Sequence, residues 1–135
     1  MPPIFIDASY YVAAILPRDR LRARALELDE HVSGPFVTSE AVLLEVFDRL
    51  AEYGAGPRRA VVALLDELRT LRGVEIIPVT TSLLDRGVEL YAARLDKGYR
   101  LTDCTSMVIC AERAIREVLT HDHHFEQEGF VALMR

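Results

Sequence analysis

The chain has 135 residues, half of them hydrophobic and 27% charged, with a net charge of −5. That length and balance suit one folded domain, residues 1–135, with a real core, and exclude a disordered chain. No apolar run approaches the roughly 18 residues of a membrane helix, and the acidic balance argues against a general nucleic-acid coat.

Residues 3–6 are a short apolar run ending at Asp7, which predicts a buried strand. A helix is expected through Tyr10 to Leu16, stopping near Pro17. Residues 18–32 predict a charged second helix with Leu21, Ala25 and Leu28 on one side. Ser33-Gly34-Pro35 is a turn, and Phe36-Val37-Thr38 a second strand. Thr38 or Ser39 then caps a helix to about Tyr53, which Gly54-Ala55-Gly56-Pro57 breaks. Residues 58–71 carry an apolar stripe of Val61, Leu64, Leu65 and Leu68. Val74 to Val79 predicts a third strand, followed by a helix from about Ser82 to Leu95 and a loop at Lys97-Gly98-Tyr99. Thr102 is placed as the cap of a helix through Arg113. Val118 to Thr120 and Phe130 to Leu133 complete the strands.

Strand and helix alternate throughout, which predicts an α/β domain whose parallel sheet is covered on both faces. Met1-Pro2-Pro3-Ile4 has no basic stretch ahead of an apolar one, so no signal peptide and a cytoplasmic location are expected. Cys104 and Cys110 are six apart in one helical pattern and point in different directions, which suits two buried thiols rather than a bridge.

In a parallel sheet the strand C-termini and the helix N-termini share one edge, where ligands collect. Asp7 and Asp122 follow predicted strands, and Asp103 opens a helix. Glu45 lies about a turn and a half into the helix after the second strand, and helical side chains tilt back toward the N-terminus. Four carboxylates in one crevice select a hard cation, Mg²⁺ or Mn²⁺, and suit phosphodiester hydrolysis. Each acid also has a plainer role. Asp103 suits the helix dipole, Asp122 suits a cap for a short helix at 123–127, and Glu45 suits a solvated helix face. The helical wheel puts Glu45 on the polar arc with Asp48, Arg49 and Glu52, and by periodicity alone favours Glu40 as the inward acid.

These residues resemble the PIN-domain ribonucleases, specifically the VapC-type toxins of bacterial and archaeal toxin–antitoxin pairs. Phe5-Ile6-Asp7-Ala8-Ser9 resembles the family's first motif, and Thr38-Ser39-Glu40-Ala41-Val42-Leu43-Leu44-Glu45 its second, which selects Glu45 over Glu40. Arg100-Leu101-Thr102-Asp103-Cys104-Thr105-Ser106 resembles the third. Leu119-Thr120-His121-Asp122-His123-His124-Phe125, then Gly129-Phe130, resembles the fourth. The resemblance implies a three-layer α/β/α sandwich of about five strands and endoribonuclease activity dependent on Mg²⁺ or Mn²⁺. It implies an acidic cluster of Asp7, Glu45, Asp103 and Asp122 supported by Ser9. It also implies RNA as substrate, homodimerisation, and inhibition by a cognate antitoxin.

Other readings stay open beside it. His121, His123 and His124 around Asp122 invite zinc, although no cysteine stands at a suitable spacing. Tyr10, Tyr11 and Tyr53 suit base stacking or, more simply, packing at a core edge or interface. A phosphoacceptor receiver domain needs a paired acid after the first strand and a lysine after the last, but Ala8 follows Asp7 and Lys97 is the only lysine. A DNA-directed nuclease and a non-cutting nucleic-acid-binding scaffold are the alternatives to RNA cleavage. For phosphate contacts, the run Arg18, Arg20, Arg22, Arg24 points to Arg22 and Arg24 as the pair nearer the acids.

Overall fold

The computed structural model describes residues 2–135. Five short strands run parallel in the order β3-β2-β1-β4-β5: β1 Ile4–Ile6, β2 Phe36–Ser39, β3 Val74–Ile77, β4 Glu117–Leu119 and β5 Val131–Ala132. All three residues of β1 are buried, as a central strand covered on both faces requires. The helices are α1 Ala8–Ile15, α2 Arg22–His31, α3 Glu40–Leu50, α4 Ala55–Thr70, α5 Thr81–Ala93, α6 Leu101–Glu112 and α7 His123–Gln127.

The first two crossovers step from β1 outward to β2 and β3. The third returns across β1 to β4. Right-handed crossovers therefore place α1–α4 on one face of the sheet and α5–α6 on the other, giving the three-layer α/β/α sandwich. α5 and α6 pack closely because Gly87 has no side chain: a Cβ there would meet Thr105 Cγ2 at 2.7 Å. Cys104 and Cys110 are buried free thiols on α6.

The strands β3 and β5 and the helix α3 are shorter than expected, and three further boundaries move. Residues 18–21 are turn rather than helix, because Asp19 Oδ1 accepts from the Leu21 amide at 2.8 Å and so competes with the helical bond. The break before α4 runs over residues 51–54 and ends at Gly54, at φ 93°. Ala55 and Gly56 already belong to the helix, and Pro57 is tolerated in its first turn, where amides have no intrahelical partner. Thr102 is not the cap of α6: Arg100 is, and Asp103 Oδ2 reaches back to accept from the Arg100 amide at 3.0 Å.

Candidate functional site

The sheet order reverses at β1, whose neighbours are β2 and β4, so the crevice at the C-terminal ends of β1 and β4 is the topological switch point. Asp7 ends β1 there, and its amide bonds the Leu119 carbonyl at 3.1 Å. Asp7 and Asp103 are each only 5% exposed. Asp122 caps α7 by accepting from the His124 amide at 2.9 Å. Glu45, half-buried on α3, is an electrostatic neighbour of both Asp7 and Asp103, and Asp122 is one of Asp103. The four acids therefore converge from β1, α3, α6 and the β4–α7 junction. Glu40 is turned elsewhere: its Oε1 accepts from the Val79 amide at 2.8 Å, holding the loop before α5.

The convergence leaves a charge imbalance. Burial raises the Asp7 carboxyl to about 7, with Glu45 and Asp103 adding to it and Thr120 and the Ala8 amide opposing. Burial likewise raises Asp103 to about 6, helped by Asp122 and Glu45 and opposed by the Arg100 amide and His124. Among the described residues Asp7 has no cationic partner within salt-bridge distance, and Asp103 has only the His124 imidazole, at 3.7 Å. Buried acids without a counter-charge suit a divalent cation, and an all-oxygen donor set suits a hard one.

Two residues outside the expected set organise this edge. Thr120 is fully buried just beyond β4. Its hydroxyl donates to Asp7 Oδ2 at 2.8 Å and accepts from Ser9 Oγ at 3.4 Å and the Asp122 amide at 3.1 Å. Ser9, the expected supporting hydroxyl, accepts in turn from the His121 amide at 3.2 Å. His124 is the other: its Nδ1 lies 3.1 Å from Asp122 Oδ1. In the sequence Thr120 reads as strand and gives no signal, while His124 stands out only as one of the histidines around Asp122 that invite zinc.

The surroundings revise the expected phosphate contacts. Arg22 donates to the Ala13 carbonyl at 3.3 Å and to that of Ala14, and Arg24 donates to the Leu133 carbonyl at 3.0 Å and pairs with Glu27. Both hold the fold instead of facing a ligand. A polar groove of about 440 Å³ beside Ser9 and Asp122 is rimmed by Arg20, Arg49 and Arg135. A second, of about 470 Å³, is lined by Glu45, Arg49, Arg100 and Leu101. Tyr11 is buried, and the Tyr10 hydroxyl donates to Asp29 Oδ1 at 2.6 Å, so these tyrosines pack rather than present rings.

Comparison with curated proteins gives no match. Among solved structures the chain is similar to VapC20 of Mycobacterium tuberculosis, a sarcin–ricin loop cleaving toxin. The TM-score is 0.83 at 27% identity, over 95% of this chain and 96% of that one. The PIN domain family model matches residues 4–130, which is nearly the whole chain. With that match, and with a five-stranded parallel sheet gathering acids at its switch point, the chain belongs to the PIN-domain family.

Proposed function

We propose that this chain is a divalent-metal-dependent endoribonuclease, the toxin of a toxin–antitoxin pair, with Asp7, Glu45, Asp103 and Asp122 as its metal-binding acids. The observation that carries the reading is Asp7, a buried carboxylate at the switch point raised to about 7 with no cation beside it among the described residues. Asp7 and Asp103 supply buried oxygen donors, and Glu45 and Asp122 supply more exposed ones. Thr120 and Ser9 fix the orientation of Asp7. When bound, Mg²⁺ or Mn²⁺ supplies a polarised water and positive charge at the scissile phosphate. The two grooves share Arg49, and Glu45 lines one and Asp122 the other, so a strand laid along them passes these two acids with arginines on either side.

The similarity to VapC20 supports RNA as the substrate, and makes an RNA hairpin carrying the sarcin–ricin loop the first to test. The test is incubation of the purified chain with that hairpin and with a DNA of the same sequence, in Mg²⁺, Mn²⁺ or EDTA. Metal-dependent RNA cleavage, absent in Asp7→Asn, is the expected result. Cleavage of the DNA alone would favour the DNA-directed reading, and binding without cleavage the scaffold reading.

The same reading includes a partner and a second copy. An acidic crevice favours an antitoxin arginine or lysine in place of the metal. Leu84, Val88 and Tyr91 stand at i, i+4 and i+7 on α5 and are each more than 40% exposed, an apolar stripe that suits a homodimer contact. Among the described residues no helix is long and apolar enough to cross a membrane.

A further inference from the structure

We infer that His124, joined by His123, adds imidazole donors to the Asp103–Asp122 half of the acidic site, so that this half takes a transition-metal ion of the Zn²⁺ or Co²⁺ class in preference to Mg²⁺. The inference rests on the reading of that edge as a metal site and says which ion one part of it selects.

The donor atoms of Asp122, His123 and His124 cluster together, with Asp103 reached through His124 alone. His124 Nδ1 stands 3.1 Å from Asp122 Oδ1 and 3.7 Å from Asp103 Oδ2, and His123 Nδ1 stands 3.7 Å from the same Asp122 oxygen. The donor atoms of Asp122, His123 and His124 all lie within 4.8 Å of one another. A tetrahedral ion with bonds of about 2.0–2.1 Å has donor–donor edges of roughly 3.4 Å, and the observed separations bracket that value.

His124 Nδ1 is also an orphan. It is buried and makes no hydrogen bond, although a carboxylate oxygen lies 3.1 Å away. A buried ring nitrogen of this kind ordinarily has a partner. Here Asp122 Oδ1 accepts from the His124 backbone amide at 2.9 Å, and the ring nitrogen stands beside that oxygen without a partner of its own.

The ring is held in that pose from behind. Tyr99 packs edge-on against His124 with centroids 5.3 Å apart, and the Tyr99 hydroxyl donates to Glu128 Oε1 at 3.0 Å. Arg94 fixes Glu128 with two bonds of 3.0 Å. Orientation of a ligating histidine by outer groups is a general property of metal sites. Imidazole donors suit Zn²⁺ and its neighbours, and carboxylates alone suit Mg²⁺. The Asp7 and Glu45 half has no nitrogen donor of this kind among the contacts of those acids, so the two halves differ in chemistry.

The test uses the metal-free full chain, titrated with Co²⁺ and read by its visible d–d absorption, and with Mg²⁺ by calorimetry. The wild type should give the intense Co²⁺ band of a low-coordinate site with nitrogen donors. His124→Ala should lose that band and weaken Co²⁺ binding by at least ~10-fold, since even outer-shell changes cost that much, with a far smaller change for Mg²⁺. His123→Ala, at a more exposed ring, should shift the band with no effect on folding. His124→Gln keeps the bulk against Tyr99 and serves if the alanine variant does not fold. A Co²⁺ spectrum unchanged by His124→Ala or His124→Gln, or equal losses for Co²⁺ and Mg²⁺, overturns the inference. If that happens while the wild type cleaves RNA with Mg²⁺, the nuclease reading stands alone. If Co²⁺ binds through His124 and no ion supports cleavage, the nuclease reading fails and the metal assignment stands.

Discussion

The Thr120 hydroxyl gives its only proton to Asp7 Oδ2, 2.8 Å away, and uses both lone pairs as well, one for Ser9 Oγ and one for the Asp122 amide. One small side chain thus ties the acid after β1 to the acid that opens α7. Its hydrogen bond opposes the effect of burial on Asp7, favouring the charged form that a metal needs.

Thr120→Val keeps the shape and removes all three bonds. It leaves Ser9 Oγ and the Asp122 amide short of a partner, at a cost of about 1–3 kcal/mol of stability. Metal affinity should fall by roughly 10–100-fold, as for other groups that orient ligands. Calorimetry with Mg²⁺ on the variant checks this. Wild-type affinity would mean that Asp7 is held by the backbone alone.

The raised carboxyl of Asp7 sets a pH dependence with a definite sign. Its value is about 7 in the folded chain against an ordinary 3.8, and Asp103 moves the same way to about 6. Between about pH 4 and pH 7 the folded state therefore binds more protons than the unfolded state, so stability falls as pH rises through that window. The Asp7 contribution is on the order of 4 kcal/mol. Asp7→Asn still accepts the Thr120 bond but does not ionise. Metal-free thermal melts should drop from pH 4 to pH 7 in the wild type and be flatter in Asp7→Asn. Divalent metal should restore the wild type near pH 7 and help Asp7→Asn much less. Equal pH slopes in the two proteins would remove Asp7 as the buried titrating acid.

The strands, and the position of Asp7 at the end of β1, were readable from the chain because both follow from short apolar runs. The alternation of these runs with helical stripes implied parallel strands, but the order of the strands, with β4 beside β1, is seen only in the structure. What periodicity missed depends on side chains bonding their neighbours. Asp19 takes the Leu21 amide and delays α2, and Asp103 takes the Arg100 amide and starts α6 one residue before Thr102. Thr120 and His124 are set by contacts across 113 residues and across α6–α7 packing, which no local window contains.

Glu45 and Glu40 differ in what each side chain touches. Glu45 faces Asp7 and Asp103 and pairs with Arg49 at 3.5 Å, while Glu40 is spent on the Val79 amide. Glu45→Gln should weaken Mg²⁺ binding and abolish cleavage, and Glu40→Gln should leave cleavage nearly intact with a loss of about 1 kcal/mol from the exposed loop bond. The opposite pattern of activities would put the inward acid at Glu40, as the helical wheel alone suggests.

An acidic chain that holds RNA has to find its affinity away from the acids. The carboxylates repel phosphate at the point of cleavage, so binding rests on arginines at the groove and on the metal. Arg22 and Arg24 already donate to carbonyls of α1 and of Leu133 near the C-terminus, and releasing them for phosphate would break those bonds. Arg20 and Arg135 rim the groove beside Asp122; Arg20 has no carboxylate within salt-bridge distance among the described residues, and Arg135, although it pairs with Glu126 at 2.6 Å and donates to the His121 carbonyl at 3.3 Å, is exposed at the rim itself. Arg49 is left intact in the test, because it touches Glu45. In an Asp7→Asn background, which prevents turnover, Arg20→Gln with Arg135→Gln should weaken RNA binding at low salt. For every phosphate that is no longer neutralised, the slope of log K against log salt should become shallower by about 0.7. Arg22→Gln with Arg24→Gln should instead lower the melting temperature and leave that slope alone. Fluorescence anisotropy of a labelled RNA over a salt series reads both pairs at once. A slope that changes with Arg22 and Arg24 but not with Arg20 and Arg135 would move the RNA path off the groove beside Asp122 and onto the face of α2.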